Sequence, residues 1–126
     1  AQENNSVEAA FMLGFMSYLG LGGSQDNLMA RHWFDVAAKG WDRNAQFYLG
    51  LMNQRGDGEQ KNLLEAYKWF DLAASSGHED AHYYRSAVAA ALSAEQRQQA
   101  SQLAQQWFDE NHDTPHKHYN KVPHQH

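Results

Sequence analysis

Residues 30–35 read Ala30-Arg-His-Trp33-Phe34-Asp35, and the same pattern recurs as Ala66-Tyr-Lys-Trp69-Phe70-Asp71 and as Ala104-Gln-Gln-Trp107-Phe108-Asp109. The second copy begins 36 residues after the first, and the third begins 38 residues after the second. A period of this length is typical of repeat architectures, in which each unit is one supersecondary element that stacks on its neighbours. The chain is therefore expected to consist of three similar units.

The first two units match over most of their length. Eight small or apolar residues recur at a distance of 36: Ala9/Ala45, Leu13/Leu49, Gly14/Gly50, Gly20/Gly56, Gly22/Gly58, Ala30/Ala66, Ala37/Ala73 and Ala38/Ala74. Small residues let neighbouring helices approach closely, and the Trp-Phe pairs supply large area for burial, so both are interpreted as packing residues. The Gly-x-Gly pairs are interpreted as turns between helices, because no strand precedes them as a phosphate-binding loop requires.

Each unit is predicted to contain two helices. The first helices are expected at about residues 6–19, 42–54 and 79–92, and the second at about 27–39, 63–76 and 94–110. Residues suited to capping stand at these boundaries: Asn5 with Glu8, Asn62 with Glu65, Ser93 with Gln96, Asp26 alone, and Gly40 and Gly77 as left-handed stops. The pattern predicts an all-α, right-handed αα-solenoid of three helix pairs.

Composition and charge narrow the classes of function. A chain of 126 residues with 42% hydrophobic and 13% aromatic residues can bury a core, which excludes disorder of the whole chain. Ten Lys and Arg against fifteen Asp and Glu give a net charge of −5, and a nucleic-acid binder needs the opposite sign. The absence of cysteine excludes disulfides, thiolate zinc sites and cysteine nucleophiles.

Two features of the sequence bear on the location of the protein. The longest uncharged stretch, residues 9–25, contains four glycines and is interpreted as a buried helix plus a turn, so no membrane-spanning segment is predicted. The chain opens with Ala1-Gln2, as a mature protein does after cleavage behind small residues, and a trimmed chain would look the same. A periplasmic or secreted bacterial protein is therefore the expectation.

The order of the repeated residues resembles that of the Sel-one-like repeat, a relative of the tetratricopeptide repeat. The shared pattern is Ala-x3-Leu-Gly, Gly-x-Gly, an Asp or Asn, Ala-x2-Trp-Phe, Ala-Ala and Gly, over roughly residues 9–109. It departs from the family at Ser17 and Asn53, where an aromatic residue is usual, and at Arg85-Ser86, which replaces Leu-Gly. The third unit is therefore interpreted as a degenerate C-terminal cap.

The resemblance implies one solenoid over residues 1–111, with repeats at about 9–44, 45–80 and 81–111. Residues 112–126 hold five histidines and both prolines, and this composition marks them as a separate tail. Members of the family are mostly non-enzymatic interaction scaffolds and adaptors, often bacterial and exported. The resemblance thus implies a protein partner, or a place as a subunit of a larger assembly, and no catalysis.

A partner is expected on the concave side, which the first helix of each unit lines in tetratricopeptide-like stacking. Eight residues are predicted to contact it: Glu8, Phe11, Phe15, Tyr18, Asn44, Phe47, Leu51 and Tyr83. Phe11, Phe47 and Tyr83 repeat at 36, and an aromatic stripe suits an extended peptide or a helix. The alternative is that these rings pack in the layer between neighbouring helices. If the rings face the partner instead, that layer is expected to be filled by Met12, Met16, Tyr48, Met52 and Tyr84.

Two histidine patterns bear on metal chemistry. His78-Glu-Asp-Ala-His82 has the spacing of zinc proteases, but His78 follows the helix-stopping Gly77 and is expected to precede the helix, so an enzyme is not predicted. The tail holds five of the eight histidines: His112, His116, His118, His124 and His126. A metal-binding protein that holds Zn, Cu or Ni there is the alternative function, and a tail that serves interaction without metal also remains open.

Overall fold

The computed structural model describes residues 2–57 and 60–111. Within these ranges the chain has no strand and six helices: α1 (Gln2–Leu19), α2 (Asn27–Lys39), α3 (Arg43–Arg55), α4 (Leu63–Ser75), α5 (Ala81–Ala90) and α6 (Ala94–Asn111). The prediction of an all-α solenoid of helix pairs is confirmed. In the part of the chain that is described, no helix has the length and apolar character needed to span a bilayer.

Side-chain caps set most of the helix starts. Asp26, Asn62 and Ser93 each accept a hydrogen bond of 3.0 Å from the backbone N–H three residues later, as predicted. The Gln96 side chain accepts a 2.9 Å bond from the Ser93 N–H, which completes a capping box at the start of α6. Asp42, which the sequence analysis did not single out, caps α3 in the same way.

Two predicted boundaries are wrong. Helix α1 begins at Gln2, so Asn5 lies inside the helix and does not cap it. Gly40 has a φ of −88°, and the residue in the left-handed region after α2 is Trp41, with a φ of 66°. Trp41 stands 36 residues before Gly77, whose φ is 101°, so the first two units end with a left-handed residue at the same repeat position.

Trp41 occupies a conformation that disfavours a large side chain, and its packing compensates for it. Its ring centroid lies 5.1 Å from that of Trp107 and 5.6 Å from that of Phe108, both on α6. The indole Nε1–H donates to the backbone carbonyl of Asn111 at 3.3 Å. The junction between the first two units is thus tied to the last helix of the described chain.

The units stack through their neighbours, as a solenoid requires. Helix α1 packs on α2 and α3 on α4, α2 packs on α3, and α4 packs on both α5 and α6. Trp107 on α6 also contacts Trp69 on α4, with ring centroids 5.3 Å apart. Helix α6 therefore closes the stack by lying against the second helix of the second unit.

The second unit has a different core on each of its two sides. Leu49, Met52 and Leu72 belong to a buried cluster that includes Phe34 of the first unit. A second buried cluster includes Ala81 and Val88 of α5. It also contains three other residues of the second unit: Phe47, Leu51 and Phe70. The second unit is therefore covered on both sides, by the first unit and by α5.

Close approach of the paired helices depends on one glycine in each of the first two units. A Cβ atom on Gly14 would lie 2.7 Å from the Phe34 ring, and one on Gly50 would lie 2.6 Å from the Phe70 ring. Both rings are fully buried. The sequence-based interpretation of these glycines as packing residues is therefore confirmed.

Candidate functional site

The eight residues predicted to bind a partner all lie on or beside the first helices α1, α3 and α5, but they differ in exposure. Glu8 and Asn44 are exposed, and Tyr83 is 70% exposed. Phe11 and Phe15 are half-buried, whereas Tyr18, Phe47 and Leu51 are buried. The surface formed by α1, α3 and α5 is called the first-helix face below.

The rings of Phe11 and Phe47 pack between helices. The Phe11 centroid lies 5.9 Å from that of Tyr48 in the next unit, and Phe47 stacks on the His78 imidazole with centroids 4.1 Å apart. Tyr83, the equivalent residue on α5, is the one exposed ring of the three. Phe11, Phe47 and Tyr83 therefore do not form one exposed row, and the packing interpretation applies to the first two.

A second set of repeated residues lies one residue further along each first helix. It consists of Met12, Tyr48 and Tyr84, spaced by 36, and is called the outer row. Met12 is 50% exposed and Tyr84 is 37% exposed, whereas Tyr48 is half-buried among rings that include Phe11, Phe34 and Phe47. Four residues before each lies an exposed polar residue, and these form the polar row: Glu8, Asn44 and Asp80.

Met12, Tyr48 and Tyr84 were expected to fill the layer between helices, and the side chains of Met12 and Tyr84 are exposed instead. Successive side chains along a helix point in directions that differ by about 100°. A shift of one residue is therefore enough to move a side chain from a buried position to an exposed one. No signal in the sequence separates the two sets, because the polar row stands one helical turn before both of them, at i−3 from Phe11 and at i−4 from Met12.

Tyr18 joins the first unit to the end of α3. Its hydroxyl donates to the Asp57 carboxylate at 2.7 Å and accepts from Arg55 Nη1 at 2.9 Å. Burial raises the pKa of the Tyr18 hydroxyl above its ordinary value, and the hydrogen bond to Asp57 adds to the rise. The phenol therefore stays protonated near neutral pH and links the units.

The H-E-x-x-H pattern does not form a metal site. His78 lies before α5 and His82 lies within it, so the two imidazoles do not share a helical turn. His78 Nδ1 accepts a 3.1 Å bond from the Asp80 N–H, and burial lowers the pKa of this imidazole, which favours its neutral form. Across residues 2–57 and 60–111, no group of three or more His, Asp or Glu side chains is placed to hold a metal ion.

The five predicted metal-binding histidines of the tail, His112, His116, His118, His124 and His126, lie outside the residues that the structure describes. Metal binding by this segment stays a prediction. The division of the chain at residue 111 into solenoid and tail stays a prediction as well.

A cleft of about 700 Å³ lies on the opposite side, where α2, α4 and the end of α6 meet. Its charged lining is balanced between three basic residues, Arg31, Lys39 and Lys68, and three acidic residues, Asp35, Glu65 and Glu110. Lys39 pairs with Asp35 at 3.3 Å, and Lys68 pairs with Glu65 at 2.8 Å. The formal charges of this lining therefore cancel, with His32 counted as neutral.

Comparison with known proteins agrees with this geometry. The family model of the Sel1 repeat matches residues 7–40 and 43–78, which correspond to the first two units. Among solved structures, the chain is similar to c5321, a protective antigen present in uropathogenic Escherichia coli strains displaying an SLR fold, with a TM-score of 0.80 and 24% identity. That match covers 98% of this chain and only 28% of the other, and at this identity it shows the fold alone. No curated protein matches the chain.

Proposed function

The chain belongs to the Sel1 repeat family, and on that premise we propose that it is a protein-binding scaffold or adaptor subunit whose partner binds to the first-helix face. Proteins with this repeat are typically non-enzymatic scaffolds, and the fold commonly serves protein interaction. The observation that carries the proposal is the outer row. One repeat position places a large apolar or aromatic side chain on α1, α3 and α5, and this side chain is exposed on α1 and α5.

The outer row and the polar row together favour one class of partner. Tyr and Met side chains offer large contact area, Met adapts its shape, and the Tyr hydroxyls add directional hydrogen bonds. The polar row supplies the carboxylates of Glu8 and Asp80 and the amide of Asn44, which accept hydrogen bonds from peptide N–H or basic groups. We therefore expect a peptide segment, extended or helical, with apolar side chains on one side and no net negative charge, since the chain itself carries −5.

The test is a double substitution, Met12→Ser with Tyr84→Ser, in the full chain. The binding partner is first identified by mass spectrometry of what copurifies with the untagged native protein, and its affinity is then measured by calorimetry. Both side chains are exposed by more than a third, so the variant should fold while its dissociation constant rises at least about tenfold.

The matched control is Leu28→Ser on α2, which removes an apolar side chain that is 66% exposed, more than Met12 or Tyr84, from a different helix. Leu28→Ser should bind as the native chain does. Partner binding that survives in a folded Met12→Ser, Tyr84→Ser variant would assign the partner to another surface.

For residues 112–126 we propose, as a separate function, the binding of Zn, Cu or Ni. The support is the composition of the segment, which holds five of the eight histidines and two His-x-His pairs. Imidazole must be neutral to bind a metal, and a free histidine titrates near pH ~6.5, so affinity should fall as the pH drops below about 6.

Isothermal titration calorimetry checks metal binding by residues 112–126. Zn²⁺ and Cu²⁺ are titrated into the full chain and into a chain that ends at Asn111, each at neutral and at mildly acidic pH. Uptake at neutral pH by the full chain alone is expected. Equal uptake by the two chains, or none by either, would remove the tail as a metal site.

A further inference from the structure

A histidine precedes α5 at the repeat position where an aspartate precedes α3. His78 stands 36 residues after Asp42, and the backbone makes the same hydrogen bond at both positions. The Asp42 N–H donates to the Ala37 carbonyl at 3.1 Å, and the His78 N–H donates to the Ala73 carbonyl at 2.9 Å. The two residues therefore occupy the same place between the second helix of one unit and the first helix of the next.

Both side chains accept hydrogen bonds from the backbone at the start of the following helix. The Asp42 carboxylate accepts from the N–H groups of Asn44 and Ala45, at 2.8 and 3.0 Å. His78 Nδ1 accepts from the N–H of Asp80, also two residues later, at 3.1 Å. The Asp80 side chain makes no capping hydrogen bond to α5, so the His78 imidazole supplies the acceptor at this helix start.

The two kinds of acceptor respond differently to acid. A carboxylate accepts hydrogen bonds when it is charged, and it keeps part of this capacity when it is protonated. An imidazole accepts only when it is neutral, because both ring nitrogens of the cation are donors. Protonation of His78 would therefore set a ring N–H against the N–H of Asp80 and remove the hydrogen bond between them.

The surroundings of the His78 ring favour its neutral form. The ring is half-buried and stacks on Phe47, which is 8% exposed, with centroids 4.1 Å apart. The Arg43 guanidinium on α3 disfavours a second positive charge, whereas the carboxylates of Asp80 and Glu79 favour one. Burial is the largest of these effects, and it lowers the pKa of His78 below its ordinary value.

The His78 ring also belongs to the contact between α3 and α5. The Phe47 ring on which it stacks lies against Tyr84 of α5, with centroids 5.0 Å apart. Tyr84 belongs to the outer row, and Asp80, whose N–H binds His78, belongs to the polar row. A change at His78 therefore acts directly on the part of the first-helix face that α5 carries.

We propose that His78 is an acid-sensitive cap of α5, which mild acid releases while Asp42 continues to hold the start of α3. Since the pKa of His78 is lower in the folded chain, the unfolded chain binds the proton at a higher pH. The contribution of His78 to stability is therefore complete above about pH 6.5 and is lost as the pH falls below that value. An effect on partner binding would rest on the function proposed above, but the loosening of α5 does not.

The test is hydrogen exchange of single backbone amides, measured by NMR in the full 126-residue chain at about pH 7.5 and about pH 5.5. Protection factors, corrected for the intrinsic pH dependence of exchange, should fall about threefold to tenfold more in α5 than in α3, as loss of one helix cap predicts. His78→Asn keeps an acceptor oxygen and does not titrate. In this variant α5 should lose no more protection in acid than α3 does.

His82→Asn is the matched control, because it removes an exposed imidazole from α5 itself. This variant should remain as sensitive to acid as the native chain. Equal losses of protection in α3 and α5 of the native chain would overturn the proposal. So would an α5 that stays acid-sensitive in a folded His78→Asn variant, or one that becomes insensitive in His82→Asn.

A titration of the native chain tests the same proposal without any substitution. The NMR signals of the His78 ring should give a pKa below about 6.5, the value of a free histidine. A pKa at or above that value would overturn the proposal. None of these measurements involves a partner, so their failure is distinct from a failure of the first-helix face to bind one.

Discussion

Replacing Trp69 with alanine is expected to lower the free energy of unfolding by about 3–5 kcal/mol. Trp69 is 4% exposed, its ring centroid lies 5.3 Å from that of Trp107, and the Lys68 ammonium lies 4.4 Å above it. The substitution leaves a cavity where the second unit, α6 and the first unit meet. For a domain of this size the loss corresponds to a melting temperature lower by about 10–20 °C, measured by circular dichroism.

The control for this prediction is the same substitution at the equivalent tryptophan of the first unit. Trp33 is only half-buried, so Trp33→Ala should cost no more than about 2 kcal/mol. Equal losses at Trp33 and Trp69 would contradict the difference in burial between the two tryptophans. An unchanged melting temperature in Trp69→Ala would contradict the repeat register itself.

Replacing Gly50 with alanine is expected to destabilise the chain by about 1–3 kcal/mol, although alanine is the better helix former by about 1 kcal/mol. The new Cβ would lie 2.6 Å from the Phe70 ring, and this ring is fully buried among Phe47, Tyr84 and the rest of the second cluster. The ring therefore has no space into which it can move, and α3 must shift away from α4. Urea unfolding measures the loss as a lower midpoint with an unchanged slope.

Gly23 provides the control, because a Cβ atom there has nothing within 4 Å and its φ is not in the left-handed region. Gly23→Ala should change the stability by less than about 0.5 kcal/mol. If Gly50→Ala proved as stable as Gly23→Ala, the close contact between α3 and α4 would be wrong.

The helix pairs could be predicted from the sequence because their causes are local. The caps at Asp26, Asn62 and Ser93 join residues three apart, and the Ala-x-x-Trp-Phe-Asp period marks each second helix. Five of the six helices accordingly begin and end within two residues of their expected positions. The start of α1 was missed because a capping residue such as Asn5 also occurs within helices, and no local signal distinguishes the two.

The repeated positions on the first helices could be predicted from the sequence, but the burial of each ring could not. Phe11 and Phe47 follow the 36-residue period as well as Met12 and Tyr48 do, so the period alone does not say which side chain faces solvent. That depends on the angle at which each helix meets its neighbours, and a difference of one residue is a turn of about 100°. The left-handed Trp41 was missed for a related reason, because the rings that hold it, Trp107 and Phe108, come from a helix far along the chain.

Met16 and Met52 show most directly what the sequence determined and what only the tertiary structure decided. They are the same residue at the same repeat position, each two residues after the packing glycine of its unit, and the sequence alone placed both on helices of the same kind. Met52 is fully buried and Met16 is 41% exposed. Local sequence determines helix, cap and period, since these depend on hydrogen bonds and side chains a few residues apart. Burial depends on whether another unit lies against the helix, and only the packing of whole units decides that.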